Sequence, residues 1–379
     1  MIETVKGFQD FTGEEAEKRE AIIKILKKNF ELYGFEPAET PIIEFEEFVK
    51  GNNEYDEAVS DIFRLKDKGN RNLALRYEFT FQLKRIAQNK KLPYKRYQIG
   101  PVFRDEPTSS NRFRQFTQCD IDIIGSETKD EAEILVLTSK IMKDLGIKSV
   151  IQVNNRKLIN SLIKSLGIEN AEFVLREIDK IDKQGEDAIK SNLAKFIDKI
   201  TIIKLFKTLE KPLSYFKKLE GYKELKQLID LCKLYNVEVK FNPKIVRGLS
   251  YYNGTVFEMP AIAGGSYLIN GIQSTGISFG LERISQLTKI KSENKKILVI
   301  SIKQDDKAIK LAEKLRKQQV PCIIQDKVSK ALDYANSYNI PYVIFIGSEE
   351  VKKKKYKFKD MKTGKEEFLN EKDLLERLK

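Results

Sequence analysis

Between residues 97 and 125 the chain reads YQIGPVFRDEPTSSNRFRQFTQCDIDIIG, and its charged residues come in an order that could grip a ligand. Pro107, Thr108, Ser109, Ser110 and Asn111 carry turn chemistry, and the runs on either side favour strands, which predicts a hairpin. Residues two apart share a strand face, so Arg112, Arg114, Gln118, Asp120 and Asp122 fall together, with Thr117, Cys119, Ile121 and Ile123 on the other face. Arg104 and Glu106 end the first strand. An arginine fork suits a phosphate and a carboxylate suits an N–H donor. One face could therefore hold a phosphate at one end and a nitrogen-bearing polar group at the other. An amphipathic hairpin with a wet polar side has the same pattern.

Three further stretches carry chemistry. Glu78 and Thr80 are two apart, and a carboxylate beside a hydroxyl is what an α-ammonium group requires; a helix N-terminus with Glu78 in its first turn also fits. RGLSYYNGTVFE, residues 247–258, reads as a loop running into a strand, and a tight aromatic turn would explain Tyr-Tyr-Asn-Gly. GISFGLERI, residues 276–284, runs from strand into helix. Arg283 in that first turn opposes the helix dipole unless an anion binds there, or else it faces solvent. The chain has no histidine, which excludes the usual Ser–His triads and histidine-ligated zinc hydrolases.

The elements that must position these residues divide the 379 residues into two or three domains. Periodicity predicts a helix at 14–33, extended chain at 35–45, strands at 62–65 and 73–77, a helix at 130–145 and a strand at 149–154. Residues 156–240 read as a lysine-rich helical module with Phe173, Ile178, Ile181, Ile189, Phe196 and Leu205 as its core. After a polar linker at 289–296, a β-α-β-α-β pattern, two more strands and a final helix form a small α/β domain. Lys+Arg outnumber Asp+Glu by 69 to 56, a net charge of +13 that fits a polyanionic partner and also any lysine-rich protein. Cys119, Cys232 and Cys322 form no disulfide framework or zinc ligand set, and no signal peptide or membrane span is visible. The expectation is a soluble, cytoplasmic protein with no membrane partner.

FRDE followed across a loop by RFRQFTQCDIDI resembles motif 2 of class II aminoacyl-tRNA synthetases, in the form found in the histidyl-tRNA synthetase family. RGLSYYNGTVFE resembles the stretch specific to that family, with Ser250 where Asp is usual. AGGSYL, residues 263–268, is similar to its Gly-Gly-Arg-Tyr-Asp turn, with Ser266 and Leu268 in place of Arg and Asp. The opening helix and extended segment resemble motif 1, a dimer element in the family, and residues 276–284 resemble motif 3. The resemblance covers nearly the whole chain.

It implies an α+β catalytic domain, an antiparallel sheet flanked by helices, with a helical insertion and a C-terminal α/β anticodon-binding domain. The divisions are 1–155 and 241–290 for the catalytic domain, 156–240 for the insertion and 296–379 for the anticodon domain. It implies ATP-dependent attachment of L-histidine to tRNA(His), with Mg²⁺, by a homodimer. Arg104, Arg247 and Arg283 are then catalytic, and Arg104, Glu106, Arg112 and Arg283 bind ATP. Glu78, Thr80, Gln118, Asp122, Tyr252 and Tyr267 bind histidine, and no protein metal site is implied. An inactive regulatory or tRNA-sensing relative is the alternative, supported by Ser250, Ser266 and Leu268. The absence of histidine has two accounts: translation that does not depend on the enzyme's own substrate, or drift in a Lys/Ile/Asn-rich genome.

Overall fold

The computed structural model describes residues 2–51, 57–109, 112–246, 251–290 and 296–378. The chain forms two compact units, Met1–Ile290 and Lys291–Lys379. In the first, an eight-stranded sheet runs in the order Glu36–Pro37, Tyr94–Phe103, Gln115–Ile124, Ile272–Gly280, Ile262–Ile269, Tyr252–Met259, Ile151–Asn155, Val239–Phe241. The six inner strands are antiparallel and each edge strand is parallel to its neighbour.

Alternation along these strands divides the sheet into two faces. Tyr97, Cys119, Ile121, Ile123, Ile277 and Phe279 point into a core closed by the helices Gly13–Leu32 and Thr128–Asp144. The first helix supplies Ile22, Leu26 and Phe30 at helical spacing, then stops at Gly34, whose φ of 78° suits glycine. The opposite face carries the polar residues discussed below. A smaller antiparallel sheet, with Asn72–Leu75 between Ile43–Phe45 and Arg64–Lys66, leads the chain into the segment containing Glu78.

Residues 156–240 are helical, from Arg156–Ser165 to Tyr222–Leu234, apart from the edge strand Val239–Phe241. Their buried residues Leu158, Val174, Ile189, Leu205, Phe216 and Leu228 join the same hydrophobic core as the sheet. Phe196, expected inside, is 74% exposed and rests edge-on against Phe173. It lies past the end of the helix Glu186–Leu193, where the helical period no longer directs it inward.

In the second unit, Ile297–Ser301 lies between the parallel strands Cys322–Gln325 and Tyr342–Ile346, and Tyr356–Asp360 and Glu366–Leu369 extend the sheet antiparallel. Leu298 and Ile300 pack on one side, and Ile297 and Val299 on the other. The helices Asp305–Lys317 and Val328–Ser337 cover the sheet, as the β-α-β-α-β pattern predicts.

Candidate active site

Three strands lay down the floor of the site in register. Gln118 lies between Gly100 and Gly280, Asp120 between Gln98 and Ser278, and Asp122 between Arg96 and Gly276. The glycines make the room: a Cβ on Gly276 would come within 2.2 Å of Asp122 Oδ1, and one on Gly265 within 2.8 Å of the Tyr252 ring. The stretch containing Gly265, expected as a turn, is the strand Ile262–Ile269 with a register shift between Gly265 and Tyr267. Tyr267 faces the pocket and its hydroxyl donates to Asp122. Ser266 points behind the sheet and donates to Glu131, and Leu268 is half exposed.

The deep end is almost free of solvent. Arg96, Gln98, Glu78, Asp120 and Asp122 are all at most 5% exposed. Arg96 Nη2 lies 2.7 Å from Asp122 Oδ2, off the hydrogen-bonding direction, and donates to Phe79 O at 3.2 Å. Glu78 accepts from the Phe81 amide at 3.2 Å and from the Tyr251 hydroxyl at 3.3 Å, and Thr80 also hydrogen-bonds to it. Tyr251, Tyr252 and Tyr267 pack ring against ring, with centroids 4.7 to 6.4 Å apart. Gln118 donates to Ser278 Oγ at 2.8 Å. Four buried acceptors, Gln98 Oε1, Gln118 Oε1, Asp120 Oδ1 and Asp122 Oδ2, have no hydrogen-bond donor from the described residues. Arg96 Nε and Nη1 likewise have no acceptor among the described residues. Buried polar groups are normally satisfied, so this face is built for a polar ligand that can both donate and accept.

Burial raises the carboxyls here. Asp120 is pushed up to about 8, first by desolvation and then by the neighbouring Asp122, with Arg96 opposing. Glu78 and Asp122 are raised by desolvation, against Thr80 and Arg104 for the former and Arg96 and Tyr267 for the latter. Desolvation also holds the Tyr251 and Tyr267 phenols well above their usual range.

The other end is open. The second hairpin strand begins at Gln115, so Arg112 and Arg114 lie in the loop rather than on the strand face. Arg112 forms an ion pair with the buried Glu106, and Arg114 pairs with Asp105 at 3.1 Å. Arg104 is half-buried, donates to Tyr77 O at 3.2 Å and lies over the Phe116 ring. Arg283 is exposed in the first turn of the helix Leu281–Leu287 and makes no hydrogen bond or ion pair among the described residues. That helix is tied down by Glu282, which accepts from the Thr117 amide at 3.0 Å and pairs with Arg19 at 2.9 Å. Arg247 and Ser250 lie outside the described residues. Sequence reasoning singled out neither Arg96, Gln98 and Ser278 nor Glu131; the alternation Arg96–Gln98–Gly100 was the available signal for the first two.

A model of the histidyl-tRNA synthetase family matches residues 7–284, and a model of an anticodon binding domain matches 296–379. The chain is 33% identical to a histidine–tRNA ligase 2 of Shouchella clausii, over 97% of this chain and 98% of the relative. It is 36% identical to a histidine–tRNA ligase of Clostridium tetani, over 91% of this chain and 90% of that one. The crystal structure of histidyl-tRNA synthetase from a Nostoc species superposes with a TM-score of 0.86 at 25% identity, covering 100% of this chain and 99% of that one. The sheet, the pocket on its polar face and the C-terminal unit all fall within these matches, and the chain belongs to the histidyl-tRNA synthetase family.

Proposed function

We infer that the chain joins L-histidine to tRNA(His) at the expense of ATP, through a histidyl-adenylate. The observation that carries the reading is the buried polar face, with groups that have no hydrogen-bond partner among the described residues, in a chain matching the family over nearly its full length. Glu78 and Thr80 take the α-ammonium, with Gln118 and Tyr267 beside the amino acid. Asp122 and Tyr252 read the imidazole. A site that hydrogen-bonds a substrate's polar groups rejects analogues lacking them by about 10⁴–10⁵ without editing.

The carboxylate of histidine is already a nucleophile, so no protein base is needed to begin. Its attack on the α-phosphorus builds charge on the equatorial oxygens, which Arg104 and Arg247 stabilise. Arg283 holds the γ-phosphate, and its exposure, with no hydrogen bond or ion pair among the described residues, supports that role. Glu106 accepts from the adenine amino group with the acceptor capacity left beside its Oε2 contact to Arg112. The terminal ribose hydroxyl of tRNA then attacks the adenylate.

Mg²⁺ would neutralise phosphate charge and template the pyrophosphate. The ion would arrive as the Mg²⁺ complex of ATP, the nucleotide phosphates supplying oxygen ligands. Residues 1–155 and 241–290 make the catalytic domain, 156–240 a helical insertion facing the tRNA and 296–379 the anticodon-binding domain. Homodimer formation is supported by one face of the small sheet, where Ile43, Phe45 and Leu65 are 38–57% exposed. No helix among the described residues is long and apolar enough to cross a membrane. The proposed setting is the cytoplasm, with the tRNA substrate.

The test is ATP–pyrophosphate exchange. Exchange should require histidine among the amino acids and fall about 10²–10³-fold in Arg104→Ala. Exchange with no amino-acid preference would overturn the assignment.

A further inference from the structure

We propose that Asp120, a residue outside the ligand set assigned above, is a specificity-determining residue of the amino-acid pocket. It works as the neutral acid, leaving Asp122 as the single anion of the pocket floor, balanced by Arg96. The proposal rests on the histidine site described above.

The hydrogen-bond network argues for it. Gln82 donates to Pro41 O at 2.8 Å and to Glu44 Oε1 at 2.6 Å, which fixes its amide and turns its oxygen toward Thr40. The Thr40 hydroxyl donates to that oxygen, so Thr40 Oγ1 must accept, at 2.7 Å, from the Gln98 amide nitrogen. Gln98 is thereby oriented with Oε1 buried and without a donor among the described residues. It stands directly opposite Asp120 on the neighbouring strand, about 5 Å away between Cβ atoms. On the far side, Ser278 accepts from Gln118, so its own proton goes to Asp120, with which it hydrogen-bonds. Asp120 thus has one donor, the Ser278 hydroxyl, and across the strand pair stands Gln98, whose buried Oε1 has no donor among the described residues. A carboxylic acid matches both; a carboxylate leaves Gln98 Oε1 without a donor.

The charges around it agree. Arg96 is the cation facing Asp120 from the first hairpin strand, and its Nη2 is already engaged with Asp122 and Phe79 O. Asp122 on Asp120's own strand and Glu78 from the preceding segment are anionic neighbours. Tyr267 beside Asp122 keeps its proton far above neutrality. Burial and Asp122 push Asp120 up to about 8. With Asp120 neutral, the Arg96–Asp122 floor carries no net charge and suits a neutral imidazole. With Asp120 ionised the floor becomes anionic and favours cations. The competing arrangement has an ionised Asp120 turned to the unpaired Nε and Nη1 of Arg96.

The test is the pH profile of histidine kcat/KM in pyrophosphate exchange, from pH 6 to 10. The wild type should fall with a midpoint near 8. Asp120→Asn, which cannot ionise, should lose that limb. Two neighbours supply readouts that a merely structural role would not move. Gln98→Leu removes the acceptor for the acid proton and should shift the limb about one pH unit lower. Ser278→Ala removes a donor to the ionised form and should shift it higher. Shifts in these opposite directions support the proposal even if Asp120→Asn fails to fold. A limb that stays fixed in both variants overturns it, as does a limb that persists in a folded Asp120→Asn. Absence of histidine-dependent exchange in the wild type at every pH would instead overturn the underlying site assignment.

Discussion

The two ends of the site solve different problems with different materials. At the deep end, Arg96, Gln98, Asp120 and Asp122 are locked in register on adjacent strands and shut away from water. At the outer end, Arg283 faces solvent and Arg112 is 42% exposed by side chain. Discrimination between amino acids needs desolvated groups whose pairing cannot be replaced by water, and the sheet supplies them. Holding phosphates needs cations that a charged ligand can recruit, and loop and helix-end arginines supply those. The Arg112–Glu106 pair shows how the second strategy keeps its cation in place, one carboxylate oxygen anchoring the guanidinium at the open end.

The deep end should therefore be the more fragile. Asp122→Ala is expected to reduce histidine kcat/KM in exchange by about 10³-fold or more, and to destabilise the fold by about 3–5 kcal/mol, because Arg96 is left buried without its partner. Chemical denaturation alongside exchange kinetics reads both effects. A variant with unchanged stability would mean that Arg96 is otherwise satisfied.

Gly276→Ala probes the same end through shape alone. Its new methyl would fall 2.2 Å from Asp122 Oδ1 and 2.9 Å from Ile121 O, and a strand backbone cannot retreat without disturbing the register. A rise of about 10–100-fold in the KM for histidine is expected, with the KM for ATP little changed. Equal effects on both substrates would show that the two ends are not separable. Arg283→Ala is the outer-end counterpart. It touches no protein partner among the described residues, so stability should stay within about 0.5 kcal/mol. The KM for ATP should rise about tenfold, and less at high salt. A histidine KM that rose as far would break the contrast.

The contrast also explains what the sequence reveals. Outer-end arginines stand in legible motifs, yet Arg283 in a first turn fits both an anion site and plain solvent exposure, and local pattern cannot choose. Strand alternation correctly puts Gln118, Asp120 and Asp122 on one face. It fails for Arg114, because the strand begins at Gln115 and the loop turns the side chain to Asp105. The partners that give Asp120 its character are less accessible still. Ser278 lies some 160 residues away in sequence, brought opposite by a strand pairing that no local period encodes. Gln98 acquires its orientation only through Thr40 and Gln82. Within the C-terminal unit the parallel strands Ile297–Ser301 and Tyr342–Ile346 are continuous apolar runs alternating with helices of period 3.6, so its architecture is readable directly.

Glu131 gives the smallest effect and sharpens the contrast from behind the sheet. It is buried on the helix Thr128–Asp144, accepting from Ser266, and desolvation pushes its carboxyl from the ordinary 4.5 to about 7, against the Ser266 and Thr255 hydroxyls. The folded chain keeps this proton between those values while the unfolded chain releases it. Its contribution to stability is therefore complete below about pH 4.5 and is lost as pH rises through 7. Asp120 acts with the same sign over a window reaching about 8. Glu131→Gln should flatten the decline in urea stability between pH 5 and 7 and leave the steepness from 7 to 8 in place, and Asp120→Asn should flatten the whole span. Histidine-dependent exchange should be unchanged in Glu131→Gln, because Ser266 and Tyr267 are successive residues pointing to opposite faces of the strand. A Glu131→Gln variant that lost exchange would show that protonation behind the sheet reaches the pocket through that strand, and the deep end could no longer be treated as closed.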